Sequence, residues 1–417
     1  MKKLIAVAVF SLVLTACKAS DPSVVGPPTQ KAPVVYPLLH QGTPRDAPVT
    51  FDPKVDILFV IDDSQSMEKY QQRLKDNVRQ FVAAIAKSGA IDFHIGVTQV
   101  WDSTRYSTGK VPPSCTEADG TVHINYVGFG ALLPLKAPPG KESLLGPFDK
   151  RFISKQPGFE SVLEQSILIG VQELIKANAK KTVPCESGPE VEEILTPIWA
   201  SFQADAVSKF QPNFWRPDSL KVFMILSDAK EGSNLTAKFV DSTSRKWTGA
   251  PAKGPQDKYR VYVAGMVPGT TVNGSTCRPD FGFKLTDNTI PNHEIAELAR
   301  LSGGKILSIC DSDYGQKLAG FGDEIKMATL KNVRQKLEFR PNRNETQLPE
   351  SKRFQLKFKG ERLKEGGLSI DLKTGKETIT GGADWAYDTQ TNDVVIRGNF
   401  WDENPKASID IVYVRGN

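Results

Sequence analysis

Apolar residues cluster along this chain with two different periods, and the change of period divides it. Val55 to Ile61 is a near-continuous apolar run of strand length with one acid inside it, and Met67, Tyr70, Leu74, Val78, Phe81, Val82 and Ile85 then recur at helical spacing. Strand, loop and amphipathic helix are expected in that order. Phe93 to Val100 predicts a second strand and Phe159 to Ile175 a helix. Val222 to Leu226 is an apolar run of the kind found in a central parallel strand covered on both faces, and Val261 to Met266 reads as another. A helix from His293 to Leu301 should stop at Gly303-Gly304, which suits a left-handed helix terminus. Ile306 to Ile309 gives one more strand and Tyr314 to Ala328 a last helix. This alternation specifies an α/β fold, a doubly wound, mostly parallel sheet flanked by helices. Two stretches, 102–157 and 179–217, interrupt it as long insertions, each with a cysteine and several Pro or Gly. Beyond 331 the period falls to two in Phe354-Leu356-Phe358, Leu368-Ile370-Leu372 and Ile409-Ile411-Tyr413, which predicts a small β-rich region over 331–417.

At 417 residues the chain exceeds the roughly 100–200 residues of one ordinary domain, in keeping with this division. Its start is of another kind. Lys2 and Lys3 precede an apolar run from Leu4 to Leu14 that is too short for a spanning helix, and the pattern is that of a signal sequence. The run ends in Leu14-Thr15-Ala16-Cys17, which resembles a bacterial lipobox. That resemblance implies cleavage before Cys17, a diacylglycerol on its thiol, and stable anchoring by multiple acyl chains. Lys18, where an Asp would favour the inner membrane, points to the outer membrane. Residues 18–50 are rich in proline and read as an extended tether.

Cys115, Cys185, Cys277 and Cys310 are an even number in a chain that leaves the reducing cytoplasm, so two disulfides are expected. Three connectivities are possible. Cys115 with Cys185 and Cys277 with Cys310 are favoured, because each pair would staple a long irregular segment. No C-x-x-C occurs and His40, His94, His123 and His293 are scattered, which argues against a zinc site. The net charge of +5 falls to +3 without Lys2 and Lys3, and no long basic block occurs, so no nucleic-acid footprint is present.

The chemistry is concentrated after the first strand, in Asp62-Asp63-Ser64-Gln65-Ser66-Met67, a D-x-S-x-S loop opening into a helix. Open α/β sheets place ligands at such strand ends. Hard divalent cations want oxygen donors, and hydroxyls with few direct carboxylates leave a cation able to bind an outside carboxylate. Strand, D-x-S-x-S and Met-led helix together resemble the metal-ion-dependent adhesion site of the von Willebrand factor A family, a Rossmann-like fold, over roughly 51–330. The resemblance implies coordination by Ser64 and Ser66, with Asp62 acting directly or through water. It implies an aspartate from a later loop, matched by Asp228 after Val222-Phe223-Met224-Ile225-Leu226-Ser227, and a threonine from another. Ala229 stands where the family has glycine, which leaves the turn of that loop open. For the threonine, Ser161 is the best match, with Glu160 and Glu164 as rivals. Asp63 has no fixed role in the pattern, and Asp56 is assigned to the strand edge.

Other signals are weaker. His293-Glu294 is followed by Glu297, so the H-E-x-x-H spacing fails. Asp311-Ser312-Asp313 reads as a helix cap, Asn234-Leu235-Thr236 and Asn344-Glu345-Thr346 fit a glycosylation acceptor pattern, and Trp385, Tyr387 and Trp401 read as core. The expectation is a cell-envelope lipoprotein that binds a protein or surface ligand bearing an acidic residue. It would do so through Mg²⁺, or alternatively Mn²⁺ or Ca²⁺, held by Asp62, Ser64, Ser66, Ser161 and Asp228. The competing expectation is an envelope scaffold in which a metal is structural or absent. No nucleophile and base arrangement suggests an enzyme.

Overall fold

The computed structural model describes residues 47–101, 130–148, 151–169, 191–203, 212–254, 256–265, 271–272, 275–276, 293–337, 354–371 and 376–413. Its centre is a six-stranded sheet. In spatial order the strands are β4 (Phe152–Ile153), β3 (Asp92–Gln99), β2 (Lys54–Ile61), β5 (Leu220–Ser227), β6 (Tyr259–Gly265) and β9 (Ile306–Ser308). All neighbours are parallel except β4, which runs antiparallel to β3. The chain passes from β2 outward to β3 and returns across β2 to β5, so the strand order reverses between β2 and β5. Reversal points of this kind open a crevice at the carboxyl ends of the strands.

Successive residues of a strand face opposite sides, and both sides are buried. Val55, Ile57, Phe59 and Ile61 face one layer and Leu58 and Val60 the other. The first layer holds α1 (Glu68–Ala86), α2 (Phe159–Ser166) and α6 (Tyr314–Thr329). The second holds α3 (Leu195–Ser201), α4 (Ala237–Thr248) and α5 (His293–Ser302). The expected strands and the helices after Met67, His293 and Tyr314 are present to within a few residues. Gly303 takes φ +73 after α5, and a Cβ on Gly304 would lie 1.9 Å from the Val261 carbonyl oxygen, so the glycine pair ends the helix hard against β6.

Several expectations need correction. The helix expected over Phe159 to Ile175 ends at Ser166. The described parts of the two insertions are integral to the fold: Phe152 and Ile153 form an edge strand, and Leu132, Ile194, Leu195, Ile198, Phe214 and Trp215 are buried in the second layer. Helix α4 was not anticipated. Thr236, read as part of an acceptor tripeptide, is its N-cap, its side chain accepting a hydrogen bond from the Phe239 amide at 3.3 Å. Asp313 precedes α6 without a side-chain capping bond, whereas Asp311 accepts from the Ser308 amide and pairs with Lys317.

The β-rich C-terminal region forms two four-stranded sheets. One has the order β1 (Val49–Thr50), β18 (Ser408–Tyr413), β11 (Phe354–Phe358), β12 (Glu361–Arg362); the other has β10 (Val333–Lys336), β17 (Asp393–Ile396), β16 (Trp385–Asp388), β13 (Glu365–Gly366). Two antiparallel pairs, β7 (Thr271–Val272) with β8 (Ser275–Thr276) and β14 (Leu368–Ile370) with β15 (Glu377–Ile379), complete the described strands. Val49 and Thr50 fall within the stretch read as tether, yet they pair with Ile409 and Ser408. Chain from both sides of the α/β unit thus contributes to one sheet. Trp385 and Trp401 are buried there, as their spacing suggested, and Phe51 packs on Trp401. Helix α7 (Gly398–Glu403) joins this region to α6 through the Asp402–Lys326 pair at 2.7 Å.

The amino edge of the central sheet carries a charged staple. Asp56 is fully buried and takes the Arg216 amide at 2.7 Å, its guanidinium Nε at 2.8 Å and the Ser219 hydroxyl. Lys221 is buried beside it and donates to the carbonyls of Arg216, Pro217 and Ser219. Burial pushes its ammonium down to about 8. Removing one partner of such a pair leaves the other charge uncompensated. Asp56→Ala is therefore expected to lower unfolding free energy by about 3 kcal/mol or more, measured by urea denaturation; a wild-type transition would show that the staple contributes nothing.

Candidate functional site

The site grows from the carboxyl ends of β2 and β5, on either side of the strand reversal. Asp62 follows β2 and is fully buried. Each of its polar atoms is used. Its amide donates to the Leu226 carbonyl at 2.9 Å, and its carbonyl accepts from the Gln71 amide group at 2.7 Å. One carboxylate oxygen accepts from the Ser64 amide at 2.9 Å and the other from the Ser227 hydroxyl at 2.7 Å. The loop then makes one 3₁₀ turn over Gln65–Met67 and enters α1, with Met67 buried beneath it. This brings the two serine hydroxyls together, with Ser64 Oγ 3.1 Å from Ser66 Oγ. Ser66 Oγ donates to Asp228 Oδ1 at 3.0 Å. Ala229 has no left-handed backbone, and its amide donates to Ser227 Oγ at 3.0 Å, so the loop after β5 turns without the expected glycine.

The electrostatics are those of an acidic site short of positive charge. Burial raises the pKa of Asp62, opposed by its bonds from Ser64 and Ser227. Asp228 is pushed up to about 7 by burial and then by the Asp62 charge, with Lys69 among the smallest opposing influences. Asp63 is pushed up to about 8 by burial and the Asp62 charge, and its Oδ1 is buried without a hydrogen-bond partner. Among the described residues, no group of three or more His, Cys, Asp or Glu side chains could hold a metal ion, so a cation at this place would draw on the serine hydroxyls.

The oxygens present fit such a cation. Adjacent ligands of an octahedron with metal–oxygen distances of about 2.1 Å lie about 3 Å apart. The Ser64, Ser66 and Asp228 oxygens are spaced at 3.1 and 3.0 Å.

Ser161 is not part of this cluster. Glu164, one turn further along α2, pairs with Arg79 at 2.8 Å, and Lys155, before α2, reaches the Ser88 carbonyl beyond the end of α1. Helix α2 therefore runs antiparallel to α1, and Ser161 lies toward the end of α1 remote from the serines, about 20 Å or more along a helix rising about 1.5 Å per residue. The Arg79 pair also removes Glu164 as a rival. The other hydroxyl of α2, on Ser166, is occupied by the Lys136 backbone. Beyond α2, Ile169 lies at the level of the site, its amide donating to Gln71 Oε1 at 3.2 Å.

Two residues of the site went unassigned in the sequence. Ser227 stood directly before Asp228, and Gln71 was a polar residue on the buried stripe of its helix. A polar side chain on an apolar stripe is the signal that marks such residues. Cys310, after β9, is disulfide-bonded; Cys17, Cys115, Cys185 and Cys277, and with them the expected pairings and the lipidation site, lie outside the described residues.

No protein-family model matches the sequence, and no curated protein is significantly similar to it. Solved structures to which the chain is similar include proximal thread matrix protein 1 from the mussel byssus, at 14% identity and a TM-score of 0.33 over 69% of this chain and 51% of that one. Another crystal structure of the mussel protein has a zinc-occupied MIDAS motif, at 14% identity and a TM-score of 0.32 over 68% of this chain and 50% of that one. The conserved hypothetical protein BatB from Bacteroides thetaiotaomicron aligns at 12% identity and a TM-score of 0.30 over 65% of this chain and 98% of that one. The chain spans about half the length of the mussel protein. Likenesses at this level add nothing to the fold, which stands on the strand order itself.

The carboxylates make a pH prediction. A carboxyl group whose folded pKa exceeds its unfolded value holds its proton more tightly when folded, so stability is lost as pH rises between the two values. For Asp228 and Asp63 that window runs from the ordinary 3.8 to about 7 and about 8. In chelator, the melting temperature of wild type should fall across this window relative to Asp228→Asn, and a divalent cation should restore it. Parallel pH profiles would contradict the reading.

Proposed function

We propose that this protein is a cell-envelope binding module of the von Willebrand factor A type. It holds a divalent cation, Mg²⁺ in the first place, on Ser64 Oγ, Ser66 Oγ and Asp228, and captures a protein or surface ligand by one of the ligand's acidic side chains. The observation that carries the reading is the spacing of those three oxygens at 3.1 and 3.0 Å at the carboxyl ends of the central strands. Asp62 already accepts one protein hydrogen bond on each oxygen, so its part is to fix the Ser64 amide and to offer remaining lone pairs to bridging water. A hard cation held this way supplies an electrophilic position that an outside carboxylate completes.

In this reading the chain binds and does not catalyse. The lipobox-like segment anchors it by Cys17, in the outer membrane rather than the inner, and the proline-rich stretch before residue 47 holds the folded part away from the lipid. Among the described residues no helix is long and apolar enough to cross a membrane, so attachment in this reading rests on the anchor.

Calorimetric titration of the lipid-free chain with Mg²⁺, Mn²⁺ and Ca²⁺ tests the proposal. Saturable binding of one cation per chain is expected, reduced at least a hundredfold in Ser66→Ala with the melting transition in chelator retained. Wild-type affinity in that variant, or no saturable binding to the wild type, would sink it.

A further inference from the structure

Among the described residues, the Gln71 side chain bonds both to the Asp62 backbone and to the segment that leaves α2. It sits in the first turn of α1, 1% exposed. Its Nε2 donates to the Asp62 carbonyl at 2.7 Å, and its Oε1 accepts from the Ile169 amide at 3.2 Å. The two backbone groups are 107 positions apart in sequence, and no strand pairing connects them directly. The amide is the chemical group that suits this task, because one end donates and the other accepts without charge. A carboxylate would repel the Asp62 carbonyl and add to an already acidic cluster, and an apolar side chain would leave two buried backbone groups unpaired.

We infer that Gln71 is a positioning residue for the cation site: it sets the height of the Asp62 loop against the end of α2 and thereby sets the affinity of the oxygens that the loop presents. This rests on the proposed cation site. Gln71 touches none of the three oxygens and acts through the backbone of Asp62, whose carboxylate in turn fixes the Ser64 amide. Groups one step removed from a metal site orient the ligands, and their loss commonly lowers affinity by about 10- to 100-fold.

The test separates positioning from general stability with a second buried glutamine. Gln256 also bridges backbone groups, donating to the Tyr259 and Ser302 carbonyls at 2.7 and 2.9 Å and accepting from the Lys258 and Tyr259 amides, but at the opposite edge of the sheet. Mn²⁺ affinity would be measured by titration of the full lipid-free chain well below its melting temperature for wild type, Gln71→Met, Gln256→Met and Ser66→Ala. Gln71→Met should bind Mn²⁺ about tenfold or more weakly, while Gln256→Met lowers the melting temperature and keeps wild-type affinity. Equal affinity in Gln71→Met and wild type, with binding still lost in Ser66→Ala, overturns the role of Gln71 and leaves the cation site standing. Equal weakening in both glutamine variants reduces the role to general stability and also overturns it. Absence of saturable Mn²⁺ binding in the wild type overturns the site and this inference together.

Discussion

Two parallel strands end side by side, and at their junction a buried carboxylate is held at every polar atom. Asp62 is bound by the Leu226 carbonyl, the Ser227 hydroxyl, the Ser64 amide and the Gln71 side chain. A buried charge lacking such partners is costly, so the loop has little freedom to move without giving up several bonds at once. The same bonds bring β2's loop to β5's loop and set Ser64, Ser66 and Asp228 within hydrogen-bonding distance. The arrangement therefore depends on a group that serves mainly to hold the others in place.

The two edges of the sheet treat negative charge differently. At the amino edge Asp56 is matched by Arg216, Ser219 and the neighbouring Lys221, and the cluster is electrically closed. At the carboxyl edge Asp62, Asp63 and Asp228 crowd together with weak opposition from Lys69, and their proton affinities rise. Both edges use buried aspartates on the same strand or its loop. One is complete within the chain, whereas the other leaves its carboxylates with raised proton affinity, and that contrast is what makes the carboxyl edge the functional candidate.

Much of this was legible in the residues. Val55 to Ile61, Val222 to Leu226 and Val261 to Ala264 are apolar at every or nearly every position because both faces of those strands are covered, and such runs announce a parallel sheet without further help. Asp62, Ser64, Ser66 and Asp228 were named from the family resemblance that strand, loop and helix carry, and the structure brings these four side chains together. Ser161 was misplaced because the loop before its helix was taken to lie at the carboxyl edge, whereas α2 starts at the opposite edge. In the structure it begins beside the remote end of α1, runs toward the serines and ends at Ser166, so Ser161 in its first turn stays far from the site, and an apolar stripe shows neither which edge a helix starts from nor where it stops. Helix α4 was missed because its buried face is narrow, with Ala237 and Val240 among few apolar contacts and Phe239 and Trp247 left partly exposed. The pairing of Val49 with Ile409 joins positions so distant that no local pattern records it.

The central claim is that Ser64, Ser66 and Asp228 form a cation site, and the most direct measurement is anomalous diffraction from crystals of the protein grown with Mn²⁺. The account predicts one strong anomalous peak roughly 2 Å from both serine hydroxyls, adjacent to Asp228. A map with no peak there, or with the ion held by other residues, would contradict it.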